Sequence, residues 1–257
     1  MSSQMKLHLI LLAGGTGSRA DGGRGAPPKQ FGATREGPLF AVSLSEFLRL
    51  PAASGFQLAG VTMTVADAWR ENAVQGLKDV FGPDRSVPWQ TAAAGRTRTA
   101  STWNALQVLG TGYDGGASGP APAAAELVAI HDAARPFASA SLLARVAHAA
   151  QDAGGAIPGV PVADTIVRIA DAGDPQSDPP ATYLKRELLQ AVQTPQVFRW
   201  DLLHAAHSVA AADGSDFTDD GGLLASRGHA PVVVEGEASN WKVTTETDLR
   251  RALELLK

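Results

Sequence analysis

Leu7-His8-Leu9-Ile10-Leu11-Leu12-Ala13-Gly14-Gly15-Thr16-Gly17-Ser18-Arg19 is a short apolar run that breaks into glycines. This is the pattern of a strand covered on both faces of a parallel sheet. Leu58 to Val65, Glu126 to Ile130 and Ala156 to Val162 have the same character. Between them lie segments with helical spacing: Pro38 to Leu50, Ala66 to Val80, Arg98 to Leu109 and Ser139 to Gln151. Alternation of this kind implies βαβ units and an α/β fold, with a mostly parallel sheet between two helical layers. Ligands of such a sheet gather at the carboxyl ends of its strands. A helix near 200–212, a strand at Pro231 to Glu235 and a helix from Glu246 are expected to complete the chain.

Two segments depart from that rhythm. Residues 110–125 are so rich in Gly, Pro and Ala that a mobile surface loop is expected there. Residues 163–197 carry Asp164 to Ile169 and Leu189 to Thr194 around a polar turn near Asp171 to Pro180, the pattern of a hairpin leaving the sheet.

The 257 residues, 44% hydrophobic and 19% charged, suffice for one sizeable core, so a single domain spanning 1–257 is expected, with no room for a second catalytic module. Zero Cys excludes disulfides, thiolate metal sites and cysteine nucleophiles, and fits a reducing compartment, so the cytoplasm is expected. A net charge of -4 argues against a nucleic-acid footprint, and no apolar run is long enough for a membrane span. The six His show no metal-ligand spacing, and His204 and His207 stand in an Ala-rich segment that reads as a surface helix without a carboxylate partner.

Gly15, Gly17 and Ala20 fit a relaxed dinucleotide fingerprint, but Gly22, Gly23, Gly25, Pro27 and Pro28 prevent the helix that such a site requires. No Gly-Lys-Ser or Gly-Lys-Thr follows, which removes a Walker A loop. What remains is a long glycine loop carrying Arg19 and ending in Pro28-Lys29-Gln30, suited to wrapping a triphosphate with backbone N–H groups and cations. Asp132, after the strand Glu126 to Ile130, can hold Mg²⁺ or simply cap a turn. Gly95 to Leu106 places hydroxyls and guanidinium groups at a helix start, equally an anion site or an N-cap. Thr245 and Asp248 have capping-box spacing, which leaves Lys242 over, at a strand end from which it could face the cleft. No nucleophile elbow is present.

In order along the chain, Ala13 to Arg19, Pro28-Lys29-Gln30, Gly95 to Ser101, His131 to Pro136, Pro161 to Thr165, Gln193 to Gln196, Thr218-Asp219-Asp220 and Asn240 to Thr244 resemble the motifs of the 2-C-methyl-D-erythritol 4-phosphate cytidylyltransferases of the non-mevalonate isoprenoid pathway. The resemblance implies a Rossmann-like three-layer sandwich of the nucleotidyltransferase type with a protruding β-arm at about 163–190. It also implies CMP transfer from CTP to a polyol phosphate with Mg²⁺ and release of pyrophosphate. By matching motif, Ala13, Gly14, Gly15, Gly17, Arg19 and Lys29 would hold the triphosphate, and Gly95 and Ser101 would lie near the cytosine and ribose. Asp132 would bind the metal. Arg135, Thr165, Arg186 and Lys242 would address the polyol phosphate, Thr165 and Arg186 doing so in the other subunit of a homodimer. Arg19, Lys29, Arg186 and Lys242 are the implied catalytic cations. Arg96 stands where the family often carries an acidic residue. A cytidylyltransferase for ribitol or ribulose 5-phosphate resembles the chain nearly as well. A non-catalytic nucleotide-binding regulator and a dinucleotide oxidoreductase are weaker alternatives.

Overall fold

The computed structural model describes residues 4–15, 28–35, 37–82, 87–113, 119–169 and 182–257. One eight-stranded sheet contains β1 (Met5–Leu12), β2 (Phe56–Val65), β3 (Trp89–Ala93), β4 (Leu127–Asp132), β5 (Gly155–Pro161), β6 (Gln190–Val192), β7 (Gln196–Arg199) and β8 (Val232–Glu235). β1 runs parallel to β2 on one side and β4 on the other, and β3 extends the sheet beside β2. β7 lies antiparallel between β4 and β5, while β8 pairs parallel with the far side of β5. β6 pairs with β5 at Gly159 to Pro161 and β7 with it at Gly155 and Ala156. These two strands therefore form one antiparallel line, interrupted at Gln193 to Pro195.

Helices α1 (Leu39–Leu48), α2 (Arg70–Phe81), α3 (Arg98–Leu109), α4 (Ala140–Ala153), α5 (Trp200–Asp213), α6 (Asp220–Ser226) and α7 (Glu246–Leu255) pack around the sheet. The period of two along β1 sorts its side chains. Leu7, Leu9 and Leu11 join Phe40, Leu44 and Leu77 of α1 and α2 and Leu142 and Val146 of α4. Ile10 turns the other way, toward Leu106 of α3, Leu203 of α5 and Leu223 of α6. Two cores back to back explain why β1 and β4 read as continuous apolar runs. Each fully buried Leu, Ile or Phe contributes about 1.5–3 kcal/mol. The sheet is thus the middle of the three layers expected from the sequence. Thr245 and Asp248 form the expected capping box of α7.

Three readings are corrected. Leu189 to Thr194 is not part of a free hairpin, because β6 belongs to the main sheet; the small hairpin pairs Val167–Arg168 with Thr182–Tyr183, and the turn at 171–180 lies outside the described residues. The segment 110–125 is anchored at Tyr113, which is 1% exposed. The Tyr113 ring occupies the space where a side chain at Gly60 would stand. Its hydroxyl lies 3.2 Å from His8 Nδ1, and His8 Nε2 lies 2.8 Å from Glu126 Oε2. Residues 114–118 are outside the description. Removing the ring in Tyr113→Ala is expected to cost about 3–5 kcal/mol by leaving a cavity, with activity per folded molecule unchanged, as urea titration and assay together would show. Finally, His207 is fully buried and meets the carboxylate of Asp220, so it does have an acidic partner.

Candidate active site

β1, β4 and the segment preceding α3 all end on one side of the sheet, where a cleft opens. Its first chamber, about 520 Å³, is lined by Gly14 and Gly15 after β1, by Gly95 to Arg98 and Ser101, by Asp132 at the end of β4, and by Lys242. The second, about 310 Å³, continues past Arg98, Asp132 and Lys242 to Arg135, Gln193, Thr194 and Asp219. The three shared side chains make the wall between the chambers.

Asp132 is the electrostatic centre. Lys242 Nζ stands 2.8 Å from Oδ2, Arg135 Nε 3.7 Å from Oδ2, and Arg98 Nε 3.8 Å from Oδ1. Burial alone would push this carboxyl up, but Lys242, Arg98 and Arg135 hold it far below the usual carboxylate range. Arg98 also pairs with Asp220, which His207 supports from behind at 2.9 Å. Among the described residues, buried Arg98 Nη2 has no hydrogen-bond partner. In the sequence this arginine is only one member of a helix-start cluster; the signal that separates it from its neighbours is spatial.

The turn that carries Asp132 is fixed from within. The Asp132 N–H donates to Thr194 Oγ1 at 3.0 Å, and Thr194 Oγ1 lies 3.1 Å from His131 Nδ1. His131 Nε2 lies 3.0 Å from the Arg135 carbonyl. A carbonyl only accepts, so Nε2 carries the proton and Nδ1 receives the threonine hydroxyl. Burial pushes the His131 imidazole down to about 4, which keeps this neutral tautomer at ordinary pH. His131 is therefore a brace within the turn.

On the glycine side of the cleft, Gln30 donates to the carbonyls of Ala13 and Gly15 at 2.7 and 2.8 Å, holding the start of the glycine loop against its end. Ser101 Oγ accepts from the Gly95 N–H at 2.9 Å and donates to the Thr97 carbonyl at 2.8 Å. The Thr97 hydroxyl caps α3 by accepting from the Ala100 N–H. Any Cβ at Gly95 would come 2.6 Å from the Ala100 carbonyl carbon and 2.7 Å from the Ser101 nitrogen, so the tight turn admits only glycine.

Of the residues singled out from sequence, Gly14, Gly15, Gly95, Ser101, Asp132, Arg135 and Lys242 line the cleft. Ala13 is buried beneath it. Lys29 opens a single 3-10 turn next to Gln30, and among the described residues it is not in the chamber walls. Thr165 and Arg186 are exposed on the arm and line neither chamber; Arg186 Nη1 donates to the Ala163 carbonyl at 2.8 Å. Lys242 sits in an irregular segment between β8 and α7, not on a strand end. Gly17 and Arg19 lie outside the described residues.

Among the described residues no group of three or more His, Asp or Glu could hold a metal unaided. Asp132 offers one carboxylate, which suits Mg²⁺ arriving with phosphate oxygens as most of its ligands. No helix among the described residues is long and apolar enough to cross a membrane.

The family model described as "IspD: 2-C-methyl-D-erythritol 4-phosphate cytidylyltransferase" matches residues 7–257. Among curated relatives, a bifunctional enzyme IspD/IspF of Rhodopseudomonas palustris strain BisA53 is 35% identical over 98% of this chain and 56% of its own length. A protein of the same description from Solidesulfovibrio magneticus is 37% identical over 95% of this chain and 56% of its own length. The chain thus spans a little over half of these relatives. The crystal structure of 2-C-methyl-D-erythritol 4-phosphate cytidylyltransferase from Thermus thermophilus superposes with a TM-score of 0.67 at 29% identity, covering 98% of this chain and 99% of that one. The 4-diphosphocytidyl-2C-methyl-D-erythritol synthase structure from Anaerococcus prevotii gives 0.74 at 23% identity, covering 98% and 96%, a likeness of fold.

Proposed function

The chain belongs to the 2-C-methyl-D-erythritol 4-phosphate cytidylyltransferase family, and from that premise we propose that its cleft transfers CMP from CTP to 2-C-methyl-D-erythritol 4-phosphate and releases pyrophosphate. The observation that carries this reading is the two-chambered cleft with Arg98, Asp132 and Lys242 as the common wall. One chamber takes the nucleotide and the other the acceptor ester, so the two phosphates meet at the wall.

The chemistry asks little of a general base. A phosphate monoester has its second pKa near 6, so the attacking oxygen is already mostly ionised at neutral pH. What the protein must supply is alignment and positive charge. Gly14, Gly15 and the Gly95 turn would receive the nucleotide, while Lys242 and Arg135 would draw in the acceptor's phosphate and Arg98 would meet the charge that builds at the transferred phosphoryl group. Arg19 and Lys29 would cover the triphosphate from the glycine loop. Mg²⁺, held by Asp132 and the triphosphate, would neutralise charge on the departing pyrophosphate.

The arm supports a homodimer as part of the same proposal. Ile169, Tyr183 and Leu188 are 69%, 74% and 77% exposed on the same arm as Thr165 and Arg186, which are exposed and line neither chamber. A second copy of the chain would cover the apolar groups and receive the polar ones. Leu188→Lys is expected to shift the protein toward monomer in sedimentation velocity and to lower activity at least about tenfold, the effect of removing a central apolar anchor. Unchanged sedimentation would remove the dimer from the proposal.

The function is tested by pyrophosphate release from CTP with 2-C-methyl-D-erythritol 4-phosphate, ribitol 5-phosphate and ribulose 5-phosphate in parallel, with and without Mg²⁺. Turnover with the first acceptor is expected. Turnover confined to either pentose derivative would reassign the acceptor, and none with any would overturn the reading.

A further inference from the structure

The contact between Asp132 and Lys242 joins two distant parts of the chain; after Lys242 the second part is held by the Val243 N–H donating to the Ala134 carbonyl at 2.8 Å, and before it by side chains. From Gly236 to Thr245 the backbone forms neither helix nor ladder. A flexible lysine on an irregular segment would spend little time at 2.8 Å from one carboxylate unless the segment were tied down.

Gln193, in the break between β6 and β7, makes the tie on the side preceding Lys242. The residue is 5% exposed. Nε2 donates to the carbonyls of Glu237 and Asn240 at 2.8 and 3.3 Å, and Oε1 accepts from the Glu237 N–H and Asn240 Nδ2 at 3.1 and 3.4 Å. Both donors and both acceptor sites of the carboxamide are engaged with one turn of chain. Asn240, itself fully buried, donates from Nδ2 to the Thr194 carbonyl at 2.8 Å, and its own carbonyl receives Arg135 NH1 at 2.8 Å. A Cβ at Gly236 would stand 2.6 Å from Gln193 Oε1 and 3.0 Å from the Gly159 carbonyl oxygen, so glycine there is what lets the carboxamide reach the turn.

We propose that Gln193 is a positioning residue: it binds the turn from Gly236 to Asn240 against the sheet, and so sets Lys242 on Asp132 and fixes the affinity of the second chamber for its phosphate ester. The name of that ester rests on the function proposed above; the tie itself does not.

The test compares full-length wild type with Gln193→Ala, Gln193→Glu and Gly236→Ala. Glutamate keeps the shape of the side chain but places an oxygen against the two carbonyls, and Gly236→Ala leaves Gln193 intact while displacing the turn from the other side. Labelling by acetic anhydride, followed by mass spectrometry with Lys78 as internal reference, is expected to rise about fivefold at Lys242 in each variant, the size of releasing one partly exposed ion pair. At saturating CTP the KM for 2-C-methyl-D-erythritol 4-phosphate is expected to rise about tenfold, as for one lost charge-assisted contact, with the KM for CTP within about twofold. Unchanged labelling of Lys242 in folded variants would overturn the proposal. So would a fall in kcat with both KM values intact, which is the signature of a smaller folded fraction. If wild type shows no CMP transfer, the labelling still decides the tie, and only the functional reading falls.

Discussion

Replacing Asp132 with asparagine is expected to lower kcat by about 10³ while the KM for CTP rises no higher than in the wild type. The split follows from the two things this carboxylate does. As a counter-ion it opposes Lys242, Arg98 and Arg135, and its loss adds one positive charge to a cleft proposed to receive polyanions. Ground-state binding of CTP should therefore be maintained or strengthened. As the proposed Mg²⁺ ligand it orients the metal with respect to the transferred phosphoryl group, and asparagine cannot replace a charged oxygen there. The three cations left facing one another should also cost about 2–3 kcal/mol of stability, below the full cost of breaking a buried pair because Lys242 reaches solvent. Steady-state kinetics across a Mg²⁺ series, with urea titration of the same preparations, measures both. A kcat within tenfold of wild type would reduce Asp132 to a structural counter-ion.

Lys242→Ala is the second large effect. Its ammonium reaches both chambers from a half-exposed position, so little packing depends on it, and the folded protein should lose no more than about 1 kcal/mol. Catalysis should suffer far more, with kcat/KM for the polyol phosphate down about 10²–10³, because a cation at the meeting point of two phosphates is among the interactions that strengthen as the reaction proceeds. Arginine would not restore the activity, since a planar fork cannot take the place of a compact ammonium 2.8 Å from a carboxylate already approached by two guanidinium groups. Retention of more than a tenth of wild-type kcat/KM in Lys242→Ala would shift the role to Arg135 or Arg98.

Much of the fold is legible in the sequence. β1, β2, β4 and β5 carry enough uninterrupted apolar residues to be read as double-faced strands, and the α4 pattern, closed by Gly154, needs no tertiary information. The antiparallel line escapes such reading because β6 and β7 have three and four residues and are separated by Gln193-Thr194-Pro195, which looks like a turn. α6 is hidden by Gly221 and Gly222, and it forms because Asp219 caps it and Leu223 and Leu224 enter the core. In the site, Asp132 announces itself as a carboxylate at the end of a strand. Lys242 can be joined to it only by resemblance, since no local pattern pairs residues so far apart. Arg98 and His207 stay concealed for a related reason: a helix start and an alanine-rich face give no sign of a relay to Asp220 that exists only once α3, α5 and α6 are packed.

The common wall of the cleft also bears on the thermodynamics of substrate binding. In the proposed reaction an anion entering either chamber would compete with Asp132 for Lys242 or Arg98, so the affinities of nucleotide and acceptor would be linked, weakly or strongly, through the same three side chains. Linkage is reciprocal: whatever factor bound CTP imposes on the dissociation constant of the ester, the ester imposes on that of CTP. The protein would act in this respect as a thermodynamic transducer, reporting the occupancy of one compartment to the other.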